Sequence, residues 1–221
     1  MFKKWFSYFI PMMVYQKKSA LSKNLEVTWN NGELVLDSKN TNYSYGSLQR
    51  ILRIGLKNIG FERVSKMNHI LVLGVAGGSV IKTLVDEIKY TGKITGVEID
   101  PEIIAIANEH FHLDKIPNLK IVIDDAFEFA LKTKEKYDLI IIDIFQDTVM
   151  PNFLFEKFFA NRLGFLLQDN GLLLFNTMIL NESHNIRNKN YIAQFEQNLY
   201  KIRTIPRLEA HNELIVVEKT A

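Results

Sequence analysis

Four short strand-like runs in this chain each end on residues able to hold a ligand. Ile70-Leu71-Val72-Leu73 runs straight into Gly74-Val75-Ala76-Gly77-Gly78. The run ending at Val97 meets Glu98-Ile99-Asp100, Leu119 to Ile123 meets Asp124-Asp125-Ala126, and Tyr137 to Ile142 meets Asp143. A glycine turn lets backbone pass close to a ligand, and N–H groups at the following helix start can bind a carboxylate or phosphate. Glu98 lies roughly twenty residues beyond the turn, the distance at which an acid can bind the hydroxyls of a ribose. A carboxylate at Asp125 can accept from an adenine amino group, and small Ala126 leaves room for the base. Asp143 ends a central strand beside the cleft of an open α/β sheet, with Gln146 and Asp147 on the same loop. Together these parts form machinery for an adenosine-type cofactor.

Each part also has a plain structural reading. The loop lacks the full G-x-G-x-x-G pattern and can be a tight strand-to-helix turn. Glu98 can be a solvated strand-end charge. Asp100, Asp125 and Ser79 can be helix caps, and Asp143 and Asp147 can order a loop. His110 and His112 flank Phe111 without a second group of ligands, so no metal site is expected. No Ser/His/Asp arrangement emerges.

The elements that must position these residues follow from periodicity. Residues 1–45 read as β: Leu25 to Trp29 and Glu33 to Asp37 alternate around Asn30-Asn31-Gly32, a hairpin signal, and Tyr15 to Lys18 adds a third strand. Ser44 to Ile59 reads as a helix, ended by Gly60. Residues 46–221 then alternate strand and helix. The strands are Ile70 to Leu73, Ile94 to Val97, Leu119 to Ile123, Tyr137 to Ile142 and Gly171 to Asn176. The helices are Val80 to Ile88, Pro101 to His110 behind an Asp100 cap, Phe127 to Thr133, Phe153 to Leu167 and Tyr191 to Leu199. Asn181 to Asn190 reads as a polar mobile loop. Ile202 to Arg207 and Glu213 to Glu218 are too close for a helical crossover and should pair antiparallel. The fold expected is α/β, Rossmann-like, with a mostly parallel sheet, a C-terminal antiparallel hairpin and a small N-terminal β-hairpin element.

Composition narrows the class further. The chain has 221 residues, 47% of them hydrophobic, and a net charge of +2, which gives no case for nucleic acid. It has no cysteine, so disulfides, zinc thiolates and a cysteine nucleophile are excluded, and a reducing, cytoplasmic setting fits. The aromatic stretch Met1 to Val14 is too short to span a bilayer and is interrupted by Pro11, so a packed or dimer-contacting element is expected, with an interfacial membrane segment as the alternative.

Taken in order, Leu71-Val-Leu-Gly-Val-Ala-Gly-Gly, Val97-Glu-Ile-Asp-Pro, Ile123-Asp-Asp-Ala-Phe-Glu-Phe and Tyr137-Asp-Leu-Ile-Ile-Ile-Asp resemble the motifs of spermidine synthases. The chain thus resembles the spermidine synthase-like branch of the class I S-adenosylmethionine-dependent methyltransferase fold, over roughly Leu25 to Leu180. The resemblance implies that Gly74, Ala76 and Gly78 line the cofactor's amino-acid tail, Glu98 binds its ribose, and Asp125 and Ala126 face the adenine. It implies that Asp143 matches the first aspartate of the family's D-[ST]-D-P loop, which positions the attacking amine and accepts its proton. The cofactor-binding set is then Gly74, Ala76, Gly77, Gly78, Glu98, Ile99, Asp125, Ala126 and Asp143. The catalytic candidates are Asp143, then Asp147 and Tyr45. A homodimer is also implied.

The departures shape the functional expectation. The family's loop carries an aspartate where this chain has Gly77. Without that charge, the loop suits S-adenosylmethionine, whose tail keeps its carboxylate, better than the decarboxylated form. The D-[ST]-D-P loop is here Asp143-Ile-Phe-Gln-Asp, the family's Tyr-His-Glu is Tyr45-Gly46-Ser47, and the late aromatic-glycine signature is missing around Pro206. The reading that follows is a methyltransferase acting on a small acceptor. The alternatives are an aminopropyltransferase that uses decarboxylated S-adenosylmethionine to make a polyamine, and a non-catalytic adenosyl-binding protein. A nicotinamide-dependent reductase is a weaker rival.

Overall fold

The computed structural model describes residues 2–21, 23–38, 42–145, 149–209 and 211–220. It begins with a short helix, α1 (Phe2–Phe6), where the sequence reading has only β. Four antiparallel strands follow, in the order β1 (Met12–Ser19), β2 (Lys23–Asn30), β3 (Glu33–Ser38) and β4 (Asn42–Ser44). Asn31 and Gly32 turn the chain between β2 and β3 with φ of 50° and 78°. Two successive left-handed residues are what a two-residue hairpin demands.

The rest builds a seven-stranded sheet. Helices α2 (Ser47–Ile59) and α3 (Phe61–Ser65) lead into β5 (His69–Leu73). A short helix, α4 (Ser79–Lys82), widens into a π turn over Thr83–Glu87 before β6 (Lys93–Glu98). Then come α5 (Pro101–Phe111), β7 (Leu119–Ile123), α6 (Ala126–Lys132), β8 (Tyr137–Ile142), α7 (Lys157–Leu166) and β9 (Leu167–Met178). Helix α8 (Glu182–Ile192) precedes the closing hairpin, β10 (Tyr200–Leu208) and β11 (Asn212–Lys219). The strand order is β10-β11-β9-β8-β5-β6-β7, with β5 to β9 parallel and β11 antiparallel to both neighbours. The expected α/β architecture and terminal hairpin are present.

Alternation along the strands feeds a core on each face. Val72, Ile141 and Leu174 pack with Leu52 and Leu56 of α2 on one side, and Leu71, Ile140 and Phe175 pack with Phe159 of α7 and Tyr191 of α8 on the other. A third cluster joins the two sheets: Leu25, Val27 and Leu36 meet Ile103, Ile106 and Phe111 of α5. The order of strands changes direction between β5 and β8, which opens the crevice at their carboxyl ends.

Three local expectations need correction. The stretch read as a loop, 181–190, is helix α8, and 193–199 is turns instead of a helix. Asn181 Oδ1 accepts the His184 N–H at 3.1 Å, and this cap starts the helix despite its polar sequence. The helix read from Ser44 starts at Ser47, because 42–44 pair with β3. The helix read over 153–167 divides at the extended residue Glu156 into a 3-10 turn, Asn152–Phe155, and α7. Among the described residues no helix is long and apolar enough to cross a membrane.

Candidate functional site

The turn after β5 is wedged between its neighbours. Gly74 has φ of 87°, and a Cβ there would lie 2.2 Å from the backbone oxygen of Asp143, so only glycine fits. The Gly74 N–H donates to Val97 O at 3.0 Å, and the Asp143 N–H donates to Leu73 O at 2.9 Å. These bonds bring the ends of β5, β6 and β8 together and place Glu98 and Asp143 beside the turn. Ala76 at φ 47° and Gly78 at φ 81° complete the curve into α4.

Glu98 is buried, and its carboxylate holds the turn. Oε2 accepts the N–H groups of Val75 (3.2 Å) and Ala76 (3.0 Å), and Oε1 accepts those of Ile99 (2.9 Å) and Asp100 (3.1 Å). Burial pushes its pKa upward, and the four N–H groups oppose that shift. Ile99 donates its N–H to this carboxylate while its side chain is exposed. Asp100 caps α5 by accepting the Glu102 N–H, and it also accepts the Ser19 hydroxyl from β1, which ties the N-terminal sheet to this edge.

At the next strand end Asp125 caps α6 by accepting the Phe127 N–H at 2.7 Å, and Ala126 is the half-buried first residue of that helix. On the other flank Ser44 and Tyr45 cover Gly77. A Cβ at Gly77 would lie 2.9 Å from Ser44 Cβ and 3.1 Å from Tyr45 Cε2. Ser44 Oγ accepts the Ser79 N–H at 3.2 Å and so caps α4. Tyr45 stacks on Phe111, with ring centroids 4.5 Å apart and 15° between planes. Burial, with a smaller contribution from Asp86, raises the Tyr45 phenol well above its ordinary value, so it stays protonated. Neither Ser44 nor Phe111 is among the site residues expected from sequence. Gly46, at φ 58° beside Tyr45 at φ 73°, is the signal that this segment bends sharply toward the loop.

Asp143 is half-buried at the end of β8 and its pKa is pushed up to about 6 by burial, with the Asn176 amide holding it down. Asn176 Nδ2 donates to Asp143 Oδ1 at 2.9 Å. Ile144 and Phe145 are partly buried and pack against the core on the α7 face of the sheet. Asp147 lies outside the described residues.

A profile of the spermine/spermidine synthase domain matches residues 54–220. A protein from Buchnera aphidicola (subspecies Schizaphis graminum) named polyamine aminopropyltransferase is 31% identical over 137 residues, covering 57% of this chain and 48% of its own length. A Vibrio vulnificus protein of the same name is 29% identical over 154 residues, covering 68% of this chain and 50% of its own. The chain thus spans about half the length of these curated relatives. A crystal structure of spermidine synthase with a transition state analogue superposes with a TM-score of 0.71 at 16% identity, over 94% of this chain and 74% of that one; it shows the fold.

These findings overturn the expectation of a methyltransferase: the family and its named relatives point to aminopropyl transfer. The reason lies at Gly77. From sequence alone, the missing aspartate is a change in charge beside the cofactor tail. In the structure Ser44 and Tyr45 fill the space that an aspartate side chain would need, so packing accounts for the glycine and the tail's carboxylate need not be invoked. With the matched region running from within α2 to the end of β11, this chain belongs to the spermine/spermidine synthase family.

Proposed function

We propose that the chain is a polyamine aminopropyltransferase, which moves an aminopropyl group from decarboxylated S-adenosylmethionine to a small amine. Asp143 carries the proposal: a raised carboxylate at the carboxyl end of β8, one oxygen held by Asn176, and no partner for Oδ2 among the described residues. An incoming amine attacks the carbon bonded to the sulfonium. The N–C bond forms, the C–S bond breaks with its electron pair going to sulfur, and the proton shed by the amine passes to Asp143. Orientation supplies most of the rate and the base a smaller part.

The residues present fit the donor. The turn at Gly74, Ala76, Gly77 and Gly78 offers backbone approach, and Asp125 and Ala126 stand at the adjacent strand end for an adenine. Glu98 is assigned to the ribose. All four of its lone-pair directions are engaged by N–H groups, so hydroxyls binding there must replace some of them. Asp147 and the protonated Tyr45 are assigned supporting roles toward the amine. The exposed Trp5, Phe9 and Ile10 offer apolar surface for a homodimer contact.

Thermal melting with decarboxylated S-adenosylmethionine, S-adenosylmethionine and NAD tests the donor. A ligand bound only by the folded state raises the melting temperature with its binding free energy. The largest rise is expected with the decarboxylated form. A rise with NAD alone, or with none of the three, rejects the proposal.

A further inference from the structure

A row of three polar side chains crosses the sheet at its carboxyl edge. Asn212 Nδ2, on β11, donates to Asn176 Oδ1, on β9, at 3.0 Å. Asn176 Nδ2 donates in turn to Asp143 Oδ1, at the end of β8, at 2.9 Å. Asn176 is fully buried and Asn212 nearly so, at 7% exposure. Two amides in a core of Leu172, Leu174 and Leu214 are costly unless bonded, and apolar residues would fill the same space at less cost. Their polarity runs one way. An ionised carboxylate only accepts, so the amide of Asn176 must face it with its NH₂. The Asn176 carbonyl then points toward β11, where Asn212 supplies a donor. Without that donor the Asn176 amide loses the partner that fixes which end faces Asp143.

We propose that Asn212 is a positioning residue for the transfer reaction: acting through Asn176, it holds Asp143 with Oδ1 engaged and Oδ2 left for the attacking amine. The proposal rests on the aminopropyltransferase reading for its consequence in turnover, while the relay itself is a property of the folded chain. It assigns a part in the site to the C-terminal antiparallel hairpin, which carries none of the cofactor-binding candidates.

The test is a carboxyl ¹³C titration of protein labelled at aspartate, with the Asp143 resonance assigned by its loss in Asp143→Asn. Losing one net hydrogen bond to the ionised form shifts a carboxyl pKa by about half a unit to one unit. Asn212→Leu is expected to raise the Asp143 midpoint by that amount. Asn176→Leu raises it as well, and Asn212→Leu added to Asn176→Leu moves it no further, because the connection is already cut. Turnover of Asn212→Leu falls in kcat while KM for the aminopropyl donor holds. Should the leucine variant fail to fold, Asn212→Ser, which is too short to reach Asn176, serves in its place. A midpoint unchanged in Asn212→Leu, or shifts that add in the double variant, overturns the relay. Absence of turnover in the parent protein rejects the aminopropyl reading instead, and the titration still decides the relay.

Discussion

Glu98 Oε2 accepts the N–H of Ala76 at 3.0 Å, and this bond fastens the acid at the end of β6 to the turn that follows β5. The same carboxylate takes three more backbone N–H groups, so one side chain fixes both strand ends. In Glu98→Gln the amide keeps one oxygen and turns an NH₂ toward two backbone donors. Each buried donor left without a partner costs about 1–3 kcal/mol. Urea denaturation is expected to show a loss of about 2–6 kcal/mol on that basis. An unchanged unfolding midpoint would show that the carboxylate does not organise the turn.

The second prediction concerns Gly77. Gly77→Asp restores the residue type that the family carries there, yet its Cβ meets Ser44 and Tyr45 below normal contact distance. Overpacking of this kind costs about 1–3 kcal/mol. Replacing Tyr45 by Ala in the same chain removes one of the two obstacles, so the double variant is expected to be more stable than the sum of the single changes allows. Strict additivity in a double-mutant cycle would contradict the packing explanation for this glycine.

Stability should fall as pH rises from about 4 to about 6. Asp143 and Asp37 are both pushed up to about 6, Asp143 by burial and Asp37 by burial together with Glu26, which lies directly opposite it in the β2–β3 ladder. A carboxyl group raised in the folded state keeps its proton where the unfolded chain has lost it. Its favourable contribution is therefore complete below the unfolded value near 4, and is lost as pH passes the folded value. Asp143→Asn removes the charge but keeps an acceptor for Asn176. Above pH 6 it should unfold at higher denaturant than the parent, by at most about 3 kcal/mol for a two-unit shift. Glu26→Gln should flatten the slope between pH 4 and 6. A parent whose stability rises through that window would refute the assignment.

Turnover should move the other way. An amine can pass its proton only to ionised Asp143, so kcat is expected to climb with pH through about 6 and then level. A stopped assay at saturating substrates from pH 5 to 8 checks this. A rate indifferent to pH across that range would remove Asp143 as the proton acceptor.

Much of the fold was legible because buried parallel strands write themselves as unbroken aliphatic runs. Ile70 to Leu73 and Leu139 to Ile142 are fully buried runs of this kind, lying within β5 and β8. Asn31-Gly32 announced the N-terminal hairpin for an equally local reason. Helix α8 was hidden because its start depends on the Asn181 cap and its anchoring on Tyr191, with little apolar periodicity between them. In the site, acids at strand ends could be read from position alone. What those acids touch could not: Glu98 spends its oxygens on backbone, and Asp143 finds Asn176, thirty-three residues away, only through sheet order. Gly77 misled for the same reason, since Ser44 and Tyr45 reach it from a different sheet.

The most direct measurement is product analysis by mass spectrometry after incubating the protein, and separately Asp143→Asn, with decarboxylated S-adenosylmethionine and putrescine. The parent is expected to yield an aminopropylated amine and the thioether nucleoside in equal amounts, and Asp143→Asn to yield both at least tenfold more slowly, within the usual range for loss of a general base. No aminopropylated product from the parent, or undiminished product from Asp143→Asn, would contradict the account.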